Sequence, residues 1–236
     1  VVGISRKQQS QKNNLEKLGI ADDIEHLKGD ILDKELVSNL LESYSPDEVY
    51  NLAAQSSVGK SFNLPRQTLD GIITGTLNLL ESAKDMNFSG SMFFAGSSEI
   101  FGSTNNRATI NYPQIPLSPY GVAKQTSFNL VRIYRDSYHL KCVTGVLFNH
   151  ESELRNDNFV THKIINAAIE CSRDKTKKIT LGNIHIQRDW GWAEEYVEAM
   201  QIITSSKLNE DFVICTGKPT KLEKIIDLAF KKFNLT

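Results

Sequence analysis

Tyr120 and Lys124 stand four residues apart in the run 120–124 (YGVAK), directly after Ser118 and Pro119. On a helix, positions four apart share a face, so the lysine ammonium can lie beside the phenol. A phenol with a reference pKa of about 10 is a weak base at neutral pH, and a neighbouring cation stabilises its phenolate. Such a pair can accept a proton from a hydroxyl while hydride leaves the same carbon. Taken alone, the spacing belongs more often to two unrelated surface residues. Weight comes from upstream, where the run 93–99 (FFAGSSE) is an apolar strand that breaks into small hydroxyl residues and one acid. Ser97 and Glu99 are thereby a third and a fourth candidate group.

Ligands of open parallel sheets bind outside the carboxyl ends of the strands. At the expected strand ends stand Arg6 and Lys7, Asp30, the run 51–55 (NLAAQ), the run 97–99 (SSE) and the run 149–151 (NHE). Dinucleotide folds place near the first two positions an acid for a ribose 2′-hydroxyl or a base for a 2′-phosphate, so Arg6 and Lys7 favour NADP. Two solvated charges opening a loop fit them equally. Asp30 either meets an adenine edge or ends a strand, and Ala53 and Ala54 are small enough for a cofactor to lie close. His150 has no partners at metal-ligand spacing, and no metal site is expected. Trp190 and Trp192 read as packing residues.

The elements that must position these groups follow from periodicity. Short apolar, β-branched runs alternate with longer stretches of helical period, the pattern of βαβ units. Strands are expected at Val1–Ser5 (a buried one), Ile24–Lys28, Asp47–Leu52, Ser91–Ala95 and Cys142–Phe148. Helices at Lys34–Ser43, Gln67–Asp85 and Tyr120–Tyr138 are expected to link successive parallel strands. The remainder reads as helix Phe159–Cys171, strand Ile179–Leu181, helix Ala193–Ser205, strand Phe212–Cys215 and helix Leu222–Phe233, with a long loop over residues 103–119 as an active-site cover. The fold class expected is therefore α/β: a Rossmann-like doubly wound parallel sheet with a smaller C-terminal substrate-binding portion. Residues 1–150 would form the NADP-binding domain and residues 151–236 mainly the substrate-binding portion, with segments returning to the sheet.

Composition narrows the function. Twenty-seven basic against 28 acidic residues, a net charge of −1, remove the electrostatic case for nucleic acid. No apolar stretch approaches the roughly 20 residues that cross a bilayer. Cys142, Cys171 and Cys215 are odd in number and widely spaced, and read as reduced core thiols of a cytoplasmic protein. A chain that opens directly on an apolar strand and closes just after a helical pattern is expected to be a piece of a longer one.

Several runs together resemble the extended short-chain dehydrogenase/reductase family, and within it the GDP-mannose 4,6-dehydratase branch. They are residues 50–56 (YNLAAQS), 118–124 (SPYGVAK), 147–152 (LFNHES), 158–161 (NFVT), 181–183 (LGN) and 188–193 (RDWGWA). The resemblance implies a cytoplasmic, homo-oligomeric (dimeric or tetrameric) lyase of nucleotide-sugar metabolism acting on GDP-mannose through an internal NADP redox cycle: hydride leaves C4, water leaves across C5 and C6, and hydride returns to C6. It implies Tyr120 as base at the C4 hydroxyl, Lys124 on the ribose and lowering the phenol pKa, Ser97 on O4, and Glu99 as the group that removes the C5 proton and expels the C6 hydroxyl. Epimerases and reductases of this fold need no such acid, so Glu99 argues for dehydration. Cofactor contacts would come from Arg6, Lys7, Asp30, Leu52, Ala53, Ala54, Gln55, Tyr120, Lys124 and His150. Substrate contacts would come from Asn149, Asn158, Val160 and Lys163 on the nucleotide, Gly182 and Asn183 on guanine, and Arg188 on the diphosphate.

The sequence departs from the family pattern in places. The family's opening strand and glycine-rich turn have no counterpart here, from which weak or no NADP binding by this chain is expected. Lys7 replaces a second arginine, Glu153–Asn156 (ELRN) replaces Pro-Arg-Arg-Gly, His162 stands where arginine is common, and Ser97 replaces threonine. A dehydratase or epimerase for another nucleotide sugar, and a catalytically silent binding module, are the alternatives.

Overall fold

The computed structural model describes residues 1–6, 14–206 and 208–235. In chain order its elements are β1 (Val2–Ser5), β2 (Glu25–Lys28), α1 (Lys34–Tyr44), β3 (Glu48–Asn51), α2 (Val58–Asn63), α3 (Pro65–Leu69), α4 (Gly75–Asp85), β4 (Ser91–Ala95), α5 (Pro119–Tyr138) and β5 (Cys142–Leu147). There follow β6 (Asn149–Glu151), α6 (Val160–Arg173), β7 (Gln187–Trp192), α7 (Ala193–Ser205), β8 (Phe212–Ile214), β9 (Pro219–Lys221) and α8 (Leu222–Lys231). The chain divides into two units, residues 1–147 with 199–213, and residues 148–198 with 214–236. Among the described residues no helix is long and apolar enough to cross a membrane.

In the first unit β3, β4 and β5 pair in parallel, with β8 beyond β5. Alternation along β4 sends Met92 and Phe94 to one face, where they meet Val37 and Leu41 of α1, Leu79 and Leu80 of α4, and Val131 and Tyr134 of α5. Each large side chain so buried contributes about 1.5–3 kcal/mol. β5 is buried at every residue, as a central parallel strand covered on both faces must be. α5 begins sharply because Ser118 Oγ accepts the Gly121 N–H at 3.0 Å and Pro119 supplies a preset φ. It ends where His139 turns left-handed at φ 58° and its N–H reaches Tyr134 O. The helical run 65–85 contains a π turn at Asp70–Thr74, which brings Ile72 O within reach of Ser127 Oγ on α5 at 3.3 Å.

A buried ion pair anchors the returning segment. Arg135 makes a two-pronged contact with Asp211 at 2.8 and 2.7 Å, and Asp211 Oδ1 also accepts the Thr144 N–H at 2.8 Å. In the second unit β6 and β7 are parallel and β7 and β9 antiparallel. There the buried Asp189 of β7 accepts from Thr216 N, Thr216 Oγ1 and Lys218 N, tying down the approach to β9.

The α/β class holds, but several expectations about elements do not. The strands do not join in one sheet: β1 and β2 form a separate parallel pair, so α1 links strands of different sheets. β1 is not buried, with Val2 and Ile4 more than one-third exposed, because β2 is the strand it pairs with. Residues 179–181 form no strand. An apolar run becomes one only where a neighbour offers its ladder, and here β7 takes the pairing with β6 and β9. The short elements α2, β6 and β9 lie below what periodicity resolves. Cys142 and Cys171 are buried, whereas Cys215 is exposed, since it follows Ile214, the last residue of β8.

Candidate active site

The carboxyl end of β4 and the first turns of α5 form one constellation in the first unit. Lys124, on the second turn of α5, is 7% exposed and donates from Nζ to Ala95 O at 2.7 Å. Its ammonium lies 5.8 Å from the centroid of the Tyr120 ring, within range of a cation–π attraction. Burial pulls the Lys124 pKa from 10.5 down to about 8, so the side chain still carries its charge at neutral pH. Beyond Ala95 the chain turns through Gly96 into a short 3₁₀ segment, Ser98–Phe101, whose first N–H groups are capped by Ser97 Oγ, accepting from Glu99 N at 3.3 Å.

Two glycines make this approach possible. A Cβ on Gly121 would lie 2.8 Å from Glu99 O, so the second residue of the Tyr120 turn must be small for α5 to press on the Ser97–Glu99 backbone. Gly102 closes the 3₁₀ segment at φ 64°, a left-handed position against the Ile115 carbonyl where a side chain would collide. The expected cover loop returns here: Gln125 Nε2 donates to Gln114 O at 3.1 Å, and Tyr112 meets Phe101 edge-on.

Of the expected cofactor residues, Arg6 and Asp30 come together at 3.9 Å on exposed strand ends, while Lys7 lies outside the described residues. Asp30 Oδ1 also accepts the Leu32 N–H, so it shapes its own turn. Leu52 and Ala53 are exposed beyond β3, followed by half-buried Ala54 and Gln55; Gln55 Nε2 donates to Ser57 O and Thr68 Oγ1. This small, solvent-facing apolar strip after β3, a basic side chain after β1 and the Tyr120 and Lys124 pair fit the adenosine and nicotinamide-ribose parts of a dinucleotide. His150 belongs to the second unit. Its Nδ1 is 2.8 Å from Phe148 O, its ring stacks on Tyr196 at 4.7 Å, and burial lowers its pKa.

The expected substrate residues all lie in the second unit. Asn149 and Arg188 sit on the neighbouring strands β6 and β7, with Asn149 opposite Trp190. Val160 and Lys163 are in the first turn of α6, preceded by exposed Asn158, whose amide donates to Asn156 Oδ1 at 2.8 Å. Gly182 and Asn183 form a separate exposed turn in which Asn183 Oδ1 accepts the His185 N–H. Trp190 donates to Thr220 O and packs, but Trp192 is 45% exposed. Sequence reasoning missed Thr144 and Ser127, which line the same small cavity as Lys124. The one signal for Thr144 was a hydroxyl in the otherwise apolar run 142–148 (CVTGVLF).

A parallel α/β unit that brings a Ser and Glu turn to a helix bearing Tyr and Lys at this spacing defines the short-chain dehydrogenase/reductase class of Rossmann folds. The family model described as GDP-mannose 4,6 dehydratase matches residues 1–236, and the chain belongs to that family. It is 40% identical over 206 residues to GDP-mannose 4,6 dehydratase 1 of Arabidopsis thaliana, covering 86% of this chain and 57% of that one. To the human GDP-mannose 4,6 dehydratase it is 38% identical over 205 residues, covering 86% and 55%. The chain thus spans a little over half the length of these curated relatives. Among solved structures, a dTDP-glucose 4,6-dehydratase from Bacillus anthracis in complex with NAD superposes with a TM-score of 0.86 at 19% identity, covering 100% of this chain and 73% of that one, a likeness of fold.

Proposed function

We propose that the chain carries the catalytic groups of a cytoplasmic, homo-oligomeric nucleotide-sugar 4,6-dehydratase that converts GDP-mannose to GDP-4-keto-6-deoxymannose with NADP as internal redox partner. The observation that carries this reading is the buried Lys124 cation, held at 2.7 Å by Ala95 O beside the Tyr120 ring and in the helix that presses on Glu99. Burying an ammonium is costly, and among the described residues one hydrogen bond to a carbonyl and one ring contact offset it. Perturbed groups of this kind cluster where chemistry is done. The substrate class is that of the chain's relatives, which are GDP-mannose 4,6 dehydratases.

NADP, when bound, supplies the hydride acceptor and donor. Tyr120 then takes the proton of the C4 hydroxyl, its phenolate stabilised by the Lys124 charge. Ser97 Oγ, already polarised by the Glu99 N–H, hydrogen-bonds O4. The C4 ketone acidifies the C5 proton; Glu99 accepts it and delivers it to the departing C6 hydroxyl, which leaves as water. Lys124 would also hold the ribose, and Arg6, Asp30 and the strip from Leu52 to Gln55 would hold the adenosine; Lys7 and His150 are further cofactor residues in this reading. Asn149, Asn158, Val160, Lys163 and the Gly182–Asn183 turn bind the nucleotide, and Arg188 grips the diphosphate with its planar fork. The first turn of α6 has no side-chain cap, which suits an anion.

Incubation of the chain with GDP-mannose and NADP, followed through the alkaline absorbance of the 4-keto product, tests the reading. Glu99→Gln should lower the elimination rate by about 10²–10⁴, while hydride exchange at C4 persists. A Glu99→Gln variant with the normal rate would refute the role of Glu99.

A further inference from the structure

Thr144 is 2% exposed, and its Oγ1 has no hydrogen-bond partner among the described residues. A buried hydroxyl left so costs about 1–3 kcal/mol, which a packed strand between β4 and β8 has no reason to tolerate when valine would fill the same volume. The hydroxyl is not embedded in hydrocarbon alone. Thr144 lines a cavity of about 10 Å³ together with Asn51, Thr76, Gly96, Lys124 and Ser127. A single water needs about 10–15 Å³ and two to four polar partners, and this wall provides them. Lys124 Nζ has three donors, one of which goes to Ala95 O. Ser127 Oγ gives its own proton to Ile72 O and keeps lone pairs to accept. Asn51 Oδ1, which accepts the Ala53 N–H, has further acceptor capacity.

We propose that Thr144 is a positioning residue for Lys124, acting through one buried water that accepts from Lys124 Nζ and Thr144 Oγ1 and donates to Ser127 Oγ and Asn51 Oδ1. The water fixes the ammonium from the sheet side, while Ala95 O fixes it from the end of β4. It also solvates a charge that is otherwise taken out of water. The role in turnover rests on Lys124 being part of the catalytic set proposed above; the water and the placement of Nζ do not.

The test is a high-resolution crystal structure of the chain and of two variants, Thr144→Val and Thr144→Ser, with kcat, KM and Tm measured on each. Expected are water density in the cavity of the wild type and of Thr144→Ser, none in Thr144→Val, and Lys124 Nζ withdrawn from Ala95 O in the valine variant alone. Turnover should fall roughly 10- to 100-fold in kcat for valine, with KM and Tm little changed, and return with serine. A dry wild-type cavity overturns the proposal, and that observation needs no variant to fold. So does a valine variant whose Nζ stays in place or whose kcat matches the wild type. If the wild type shows no turnover with NADP bound to saturation, the dehydratase reading fails, while the density and the Nζ position still decide this one.

Discussion

Replacing Lys124 with methionine should leave the fold at least as stable at neutral pH while removing the activity. The amine protonates at 10.5 in the unfolded chain and at about 8 in the fold, so at about 1.4 kcal/mol per pKa unit the charged form costs the fold about 3 kcal/mol. Methionine has a similar length and no charge, so it removes that cost. It also gives up the 2.7 Å bond to Ala95 O, worth about 1–3 kcal/mol including the carbonyl left behind. The net expectation at pH 7 is a gain between zero and about 2 kcal/mol. The pH dependence is the sharper readout. Between about 8 and 10.5 the unfolded chain binds more protons at this site than the fold does, so wild-type stability rises with pH through that window. The contribution is fully present above 10.5 and lost as pH falls through about 8. Urea denaturation of both proteins at pH 7, 8, 9 and 10, each carrying Tyr120→Phe so that the phenol beside the cation does not titrate, isolates it, because the other tyrosines and lysines titrate alike in each. The wild-type minus variant difference should move by up to about 3 kcal/mol in favour of the wild type across the window. A flat difference, or a Met variant several kcal/mol less stable at pH 7, would show that Lys124 is not a desolvated cation. Loss of turnover by at least about 10² in a variant no less stable than the parent is the trade of stability for function expected of a catalytic site.

Two further substitutions probe the frame. Asp211→Asn leaves Arg135 as a buried charge without its carboxylate and weakens the support of Thr144 N, and should cost about 3–5 kcal/mol in urea denaturation; a loss under 1 kcal/mol would mean that solvent reaches the pair. Gly96→Ala places a Cβ 2.7 Å from Thr144 Cγ2 and 3.0 Å from Gly145 O, and should lower stability by about 1–3 kcal/mol. Because serine lacks that methyl, Gly96→Ala combined with Thr144→Ser should recover part of the loss, and strict additivity in thermal melts would contradict the contact.

How much of this was legible in the chain depends on the range of the interaction involved. The start of α5 was readable because its cause is local: Ser118 caps Gly121 three residues on, and Pro119 presets the first turn. The pairing of Tyr120 with Lys124 is likewise a matter of helical period. β4 and β5 were readable because strands buried on both faces are written as continuous apolar runs. The residues 179–181 were apolar enough to suggest a strand, yet a strand is a property of two segments, and the partner they needed is engaged elsewhere. β6 and β9 are three residues each, too short to leave a period of two.

The sequence by itself determined which groups are available and on which side of their own helix or strand they project: Ser97 and Glu99 after an apolar strand, Tyr120 and Lys124 on one helical face, and family motifs between residues 50 and 193. Tertiary structure decided what those groups are. Lys124 becomes a buried cation of lowered pKa only because the packed wall takes it out of water, where the carbonyl of Ala95, 29 residues away, holds it. Thr144 becomes a buried hydroxyl without a partner among the described residues only because the fold sets it on one cavity wall with Gly96, Ser127 and Lys124. Periodicity is set by bonds between near neighbours, whereas desolvation is set by whatever the fold brings from far along the chain, and no local pattern encodes it.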